Sequence, residues 1–344
     1  MKIISGTVEF QMQEPSAVVI GKFDGIHLGH RLLLEKLIEQ KREGLQTVVF
    51  TFDKSPATLF LKEGEVYREI CSSVEKREIF EEISKAGEVL HTEAVREEGE
   101  LDSEWIDVLI EFPMNAGTAA ISPEEFITEI LQKKLCCKSL IAGDDITFGY
   151  KGRGNSNLLR EYSKKCGYQL HLMDKLLVNN VLPETGSAEE ISSTLIRREI
   201  NAGNIAKANR LLGRCFTVTG KVQHGRKLAG SILHMPTANL KWPEHKVLPA
   251  FGVYMTEVLV DGRRYKAITN VGRKPTVNAP DMQEVLAESY LYDYCGDLYG
   301  KIMQVCFYEF VRSEQKFENL EALQEQMLKD MEQGRRWQAE GNKR

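Results

Sequence analysis

No run in this 344-residue chain approaches the ~20 consecutive apolar residues that a membrane-crossing helix needs. Charge of one sign is also lacking: 45 basic residues stand against 50 acidic ones, a formal net charge of −5. Bulk electrostatics therefore gives no reason to expect nucleic acid or anionic lipid as a partner, and any phosphate chemistry has to come from a local site. The seven cysteines (Cys71, Cys136, Cys137, Cys166, Cys215, Cys295 and Cys306) are odd in number and form no CxxC pair. They read as reduced thiols, with neither a disulfide framework nor a zinc site. The first residues reach Glu9 and Glu14 without the apolar stretch of a signal peptide, so the expected location is cytoplasmic. Glycine and proline are scattered without a period, which excludes a collagenous chain, and 42% hydrophobic residues exclude a disordered one. That content suffices for at least one full core, and the length suggests two domains.

What is present changes texture near residue 210. The first half alternates strand-like and helix-like segments, as a parallel α/β sheet requires. The apolar run 17–21 is followed by a helix over 31–42, with Leu33, Leu34, Leu37 and Ile38 on one face, and then by a β-rich run over 47–52. Further helices are predicted over 75–86, over 123–135 with Ser122 as N-cap, and over 155–165; strands are predicted over 139–142 and 168–173. Residues 192–212 read as helical, interrupted at 201–204. The second half is a series of β-rich runs at 216–222, 252–260, 265–271, 287–293 and 301–310, with Asp261-Gly262 as a hairpin turn. A small antiparallel barrel or sandwich is expected there, closed by a helix over 314–334 with Phe317, Leu320, Leu323, Met327 and Met331 at helical spacing.

The first chemical signal is Gly21-Lys22-Phe23-Asp24-Gly25-Ile26-His27-Leu28-Gly29-His30, which joins the first strand to the first helix. Such a turn exposes backbone N–H groups at a helix N-terminus, and glycines let a polyphosphate approach closely. His27 and His30, three apart, fall on one side of the first turn and can face a single anion. Two other readings stand beside this one: half of a zinc site, for which no third ligand is spaced suitably, and a simple turn whose histidines cap and pack the helix.

GKFDGIHLGH resembles the GxFDGxHxGH signature of prokaryotic bifunctional FAD synthetases, whose first domain is an FMN adenylyltransferase of the HxGH nucleotidyltransferase superfamily. Thr51-Phe52-Asp53, Gly143-Asp144-Asp145 with Phe148-Gly149, and Ile191-Ser192-Ser193-Thr194-Leu195-Ile196-Arg197 resemble further family elements in the same order, and the resemblance covers nearly the whole chain. It implies that His27, His30 and Arg197 are catalytic. It implies a nucleotide-binding role for Gly21, Phe23, Asp24, Gly25, Gly29, Asp144, Ser193 and Thr194, around the phosphates of ATP. Where the family usually has Pro-His-Pro after Thr-Phe-Asp, this chain has Lys54-Ser55-Pro56.

The second signal is Met235-Pro236-Thr237-Ala238-Asn239, after a basic segment at 224–230. Thr237 and Asn239, two apart in an extended strand, put two hard oxygens on one face, suited to a magnesium–nucleotide complex. On its own the stretch also reads as a turn with a polar strand start. Pro-Thr-Ala-Asn resembles the signature of riboflavin kinase, the second domain of the same family, and companion elements follow at 252–254, 270–276 and 297–300. The resemblance implies Thr237, Asn239 and Arg273 as nucleotide contacts, Thr237 and Asn239 as Mg2+ ligands and Glu288 as catalytic base. His234 stands where the family commonly has glycine.

The resulting expectation is a Rossmann-like domain over 1–207 that makes FAD and pyrophosphate from FMN and ATP, and a kinase barrel over 208–344 that makes FMN from riboflavin and ATP. Both would use Mg2+. The partners would be small molecules, with no nucleic acid and no membrane, and the chain a monomer or weak homo-oligomer. The alternatives are a chain with one of the two activities, an HxGH nucleotidyltransferase with another acceptor, and a flavin-binding protein without turnover.

Overall fold

A computed structural model describes residues 1–86, 104–223, 237–275 and 283–337. Contacts divide the chain into two units, Met1–Ser193 and Thr194–Arg344.

In the first unit β1 (Lys2–Ser5), β2 (Ser16–Ile20), β3 (Gln46–Phe52), β4 (Val108–Phe112), β5 (Cys137–Gly143) and β6 (Gln169–Met173) form a six-stranded sheet in the order β1-β4-β3-β2-β5-β6. Every pairing is parallel. Strands β2 and β4 are buried at all five positions, as expected when helices cover both faces of a parallel sheet. The expected βαβ unit is β2, α1 (Leu28–Arg42) and β3. Leu33, Leu34, Leu37 and Ile38 of α1 are buried as the spacing predicts, and α1 packs on β2, β3 and β5.

Neither β1 nor β4 stands out in the sequence. In β4 the apolar run is broken by Glu111, which is buried; Arg77 of α2 (Ser73–Ala86) answers it, with its Nε 3.0 Å from both carboxylate oxygens. Helix α2 starts in a reciprocal cap, the Ser72 N–H donating to Glu75 Oε2 at 2.8 Å and the Glu75 N–H to Ser72 Oγ at 3.2 Å. The segment expected as one regular helix is α3 (Pro123–Glu125), capped by Ser122, continuing as a π-helix over Phe126–Lys134. It ends with the Leu135 N–H donating to the Ile130 carbonyl at 2.9 Å, a five-residue step. This winding buries Phe126, Ile127, Ile130 and Leu131 together. After it come α4 (Ser156–Cys166), capped by Asn155, and the short α5 (Val178–Val181).

The second unit continues α6 (Ser193–Asn201) into α7 (Ile205–Leu212), the break falling at Gly203. Asn209 of α7 ties the helix to the barrel: its Nδ2 donates to the Phe307 carbonyl and its Oδ1 accepts from the Phe216 N–H, both at 2.7 Å. Strands β7 (Phe216–Gln223), β8 (Ala238–Lys241), β9 (Gly252–Val260), β10 (Arg263–Pro275), β11 (Gln283–Leu291) and β12 (Ile302–Ser313) close a barrel in the order β10-β11-β8-β7-β12-β9. The β9–β10 hairpin turns at Asp261 and Gly262, with φ of 50° and 73°, the pair of left-handed residues that a tight twisted hairpin uses.

Phe216, Trp242, Tyr254 and Phe307 pack in the barrel core with their rings tilted or edge-on to one another. Beside them runs a chain of three fully buried hydroxyls: Thr256 Oγ1 lies 2.8 Å from Thr269 Oγ1, which lies 2.8 Å from Ser289 Oγ.

The last helix, α8 (Leu320–Arg336), starts later than its apolar spacing predicts, at the cap Asn319, so Phe317 lies before it and Leu320 is exposed. Met331 of the predicted stripe packs against Val253, Ile268 and Tyr292, and polar groups add to this. Buried Asp330 accepts from Arg312 Nε of β12 at 3.0 and 3.1 Å, and the Tyr292 hydroxyl donates to the Met331 carbonyl at 2.6 Å.

Candidate active sites

In the first unit the chain passes from β2 to β3 on one side while β5 pairs on the other, so the carboxyl end of β2 lies where the strand order reverses. Open α/β sheets bind ligands at such a crevice. The Gly21–His30 turn starts there. Its backbone is folded tightly, with φ of 49° at Phe23, 82° at Gly25 and 40° at Ile26. A Cβ on Gly25 would also meet Ile70 Cδ1 at 2.9 Å, so glycine is required there twice over. Phe23 is buried against Phe80 of α2 at 5.4 Å and lies 5.1 Å from the His30 ring.

Asp24 fastens the turn. Its buried carboxylate accepts from the N–H groups of Ile70 at 2.7 Å and Cys71 at 3.4 Å, and its carbonyl accepts from Ser193 Oγ at 2.8 Å. The last contact joins two motifs that lie 169 residues apart. Asp24→Ala leaves the Ile70 N–H without this acceptor and should lower stability by about 1–3 kcal/mol, read by thermal unfolding; an unchanged transition would rule out the fastening role.

His27 caps α1, its Nδ1 accepting from the His30 N–H at 3.4 Å, and the two rings stack with centroids 3.8 Å apart and planes at 22°. Whenever His27 is neutral, an acceptor Nδ1 places its proton on Nε2. A Cβ on Gly29 would come within 3.2 Å of that ring, so Gly29 leaves room for it. The Nδ1 of His30 is buried and without a hydrogen-bond partner among the described residues. Burial first, then the positive charges of His27 and Lys76, hold the His30 pKa well below the usual histidine value.

The unfolded chain takes up this proton near a pKa of about 6.5, whereas the folded protein resists it to lower pH. Folding stability contributed by neutral His30 is therefore complete above that value and falls as pH drops through and below it. Denaturant unfolding of the wild type at pH 7.5 and 5.5 should show this loss, and His30→Gln should reduce it; equal pH dependence in the two proteins would contradict the assignment.

Lys76 was not singled out by motif. It is 3% exposed, and its Nζ donates to the Lys22 carbonyl at 3.4 Å, an acceptor shared with Thr51 Oγ1 at 3.1 Å. A sequence signal did exist: Lys76 stands on the stripe of α2 that buries Ile79, Phe80 and Ile83. Among the other expected positions, Asp144 is exposed just past β5, and Asp53 Oδ1 accepts from the Met114 N–H at 2.8 Å. Ser55, in the stretch where the family has histidine, caps a short turn over Pro56–Phe60. Thr194 and Arg197 lie on α6 in the second unit, Arg197 Nη2 standing 3.4 Å from Thr194 Oγ1.

In the barrel, Asn239 of β8 is directly opposite Glu288 of β11, which is directly opposite Asn270 of β10. The flanking Ala238, Thr269, Val271, Ala287 and Ser289 are buried in the interior, so alternation puts the three polar residues on the outer face. Asn239 Nδ2 donates to the Thr237 carbonyl at 3.4 Å, while its buried Oδ1 has no partner among the described residues. Glu288 Oε2 lies 3.3 Å from Lys274 Nζ. The exposed Arg273 has its guanidinium 5.8 Å from the Phe251 ring centroid. Asn270 and Lys274 belong to the motif at 270–276, but their place beside Glu288 required the register. His234 and the basic segment at 224–230 lie outside the described residues.

The FAD synthetase family model matches residues 9–91 and 84–182, and the riboflavin kinase family model matches residues 212–338. A bifunctional riboflavin kinase/FMN adenylyltransferase of Buchnera aphidicola subsp. Acyrthosiphon pisum is 32% identical over 335 residues, covering 96% of each chain. One from Escherichia coli strain K12 is 31% identical and also covers 96% of each. One from Listeria monocytogenes is 29% identical over 91% of this chain and 89% of its own. Among solved structures, a Streptococcus pneumoniae chain described as a macrolide-efflux protein has a TM-score of 0.79 at 25% identity, covering 98% of this chain and 100% of its own.

Proposed function

The chain belongs to the bifunctional riboflavin kinase/FMN adenylyltransferase family, and on that premise we propose how its residues divide the work. It phosphorylates riboflavin with ATP to give FMN and ADP, and joins FMN to the AMP part of ATP to give FAD and pyrophosphate. The kinase step is assigned to 208–344 and the adenylyl transfer to 1–207. The observation that supports this best is a separate polar constellation in each unit: the stacked His27/His30 pair beyond the carboxyl end of β2, and the Asn239–Glu288 cross-strand pair on the barrel.

In adenylyl transfer the FMN phosphate attacks the ATP α-phosphorus directly, so positioning and charge stabilisation supply the catalysis and no covalent nucleophile is needed. His27 and His30 would donate to the α-phosphate and the departing pyrophosphate. The lowered His30 pKa favours the neutral ring, and an arriving polyphosphate would raise it. Ser193 Oγ donates to the Asp24 carbonyl and so helps to hold the turn. The match of residues 191–197 to the family element assigns Thr194 and Arg197 to nucleotide phosphate, as a hydroxyl and a guanidinium.

In the kinase step Glu288 would orient the ribityl hydroxyl and take its proton as the oxygen attacks the γ-phosphorus. The unpartnered Oδ1 of Asn239 fits a hard cation, and among the described residues no group of three His, Cys, Asp or Glu is arranged to hold a metal. Asn239 and Thr237 would therefore hold Mg2+ chiefly through its nucleotide, and the ion, when bound, would neutralise phosphate charge. Arg273 is assigned to the nucleotide as well. A cytoplasmic, monomeric or weakly associating enzyme that engages no nucleic acid completes the proposal. Purified protein given riboflavin, ATP and Mg2+ should form FMN and then FAD, resolved by chromatography; folded protein that forms neither flavin product would reject it.

A further inference from the structure

We propose that Lys76 binds the polyphosphate of ATP in the first unit, as a buried cation whose counterion is the substrate. The inference rests on the adenylyl-transfer assignment above. Lys76 occupies a position of α2 where packing alone calls for an apolar side chain, one turn before Ile79 and Phe80. Its neighbour Arg77 is matched by Glu111, but no carboxylate pairs with Lys76 among the described residues. The hydrogen bond it does make, to the Lys22 carbonyl, is long at 3.4 Å and goes to an oxygen that Thr51 already serves. A buried ammonium with one weak acceptor is costly, and such a charge is expected where an anion arrives to compensate it.

The place is also specific. Lys22 belongs to the Gly21–His30 turn, and the charge of Lys76 is felt at His30. Lys76 would thus stand with the two imidazoles around one anion. The recognised chemistry is a phosphate chain, present in ATP before reaction and in pyrophosphate after it.

The test uses the full chain and two variants, Lys76→Met and Lys76→Arg, with inorganic pyrophosphate and ATP as probes. Ligand-free Lys76→Met should melt at or above the wild-type temperature, because an uncompensated charge has been replaced by an apolar side chain of similar length. The upward shift that pyrophosphate gives the wild type should be lost. The KM for ATP in FAD formation should rise about 10- to 100-fold, the worth of one charge-assisted hydrogen bond. Lys76→Arg should restore part of both, and riboflavin phosphorylation should be unchanged in all three proteins. A Lys76→Met protein that keeps the pyrophosphate shift and the wild-type KM overturns the role of Lys76 alone, whatever its melting temperature. A wild type that makes no FAD and is stabilised by neither probe overturns the adenylyl-transfer assignment and this inference together.

Discussion

Replacing His27 by Asn should slow FAD formation from supplied FMN by about 10²- to 10³-fold while leaving riboflavin phosphorylation at the wild-type rate. Asparagine is the informative choice because His27 has two jobs. Its Nδ1 accepts from the His30 N–H as the cap of α1, and asparagine is among the best residues at that position. The helix start is therefore conserved in kind, and what disappears is the imidazole to which the phosphate contact is assigned. An alanine at the same place would mix the loss of a donor with the loss of a cap, worth ~1 kcal/mol. The measurement is the rate of FAD appearance under saturating ATP, with FMN formation from riboflavin as the internal control. If both rates fall together the protein has been damaged generally, and if neither falls His27 has no part in the transfer.

The complementary expectation concerns Glu288→Gln. Riboflavin phosphorylation should fall by about 10²- to 10⁴-fold, the usual worth of a positioned general base, and FAD formation from supplied FMN should persist. Glutamine keeps the shape and removes only the ability to accept the hydroxyl proton. Loss of the contact with Lys274 does not confuse the result: that pair is partly solvated, and exposed pairs of this kind contribute at most about 1 kcal/mol. A variant that phosphorylates riboflavin at the wild-type rate would remove Glu288 from the mechanism. The two substitutions form opposite halves of one assay, since each variant supplies the active control for the other.

How much of this was open to sequence reading depended on distance along the chain. The turn from Gly21 to His30 is local, and its place between an apolar strand and an amphipathic helix could be read directly. So could the cap at Ser122 and the hairpin at Asp261-Gly262, because each is set by residues within one turn of one another. Strand β4 was hidden because Glu111 breaks its hydrophobic run, and the compensating Arg77 comes from a different element. The late start of α8 is set by the side chain of Asn319, which accepts from the Ala322 N–H at 2.8 Å, whereas hydrophobic spacing carries the pattern back to Phe317. In the sites themselves, residue types were legible but adjacency was not. Ser193 reaches the carbonyl of Asp24, and Asn239 faces Glu288, through pairings that only the folded sheet and barrel create. Lys76 is the intermediate case, a charged residue on an apolar stripe whose oddness is visible in sequence but whose neighbours are not.

The three hydroxyls threaded through the barrel bear on how accurately it assembles. Thr256, Thr269 and Ser289 satisfy one another across β9, β10 and β11, and none has access to water. A slip of β11 by two residues would keep its inward and outward faces but separate Ser289 from Thr269, leaving buried hydroxyls unmatched at a cost of about 1–3 kcal/mol each. The seam therefore penalises mispaired intermediates that hydrophobic packing alone would tolerate. Since Glu288 precedes Ser289, the same penalty keeps the carboxylate opposite Asn239: an interior feature that touches no substrate acts as a proofreading step for the geometry of the outer face.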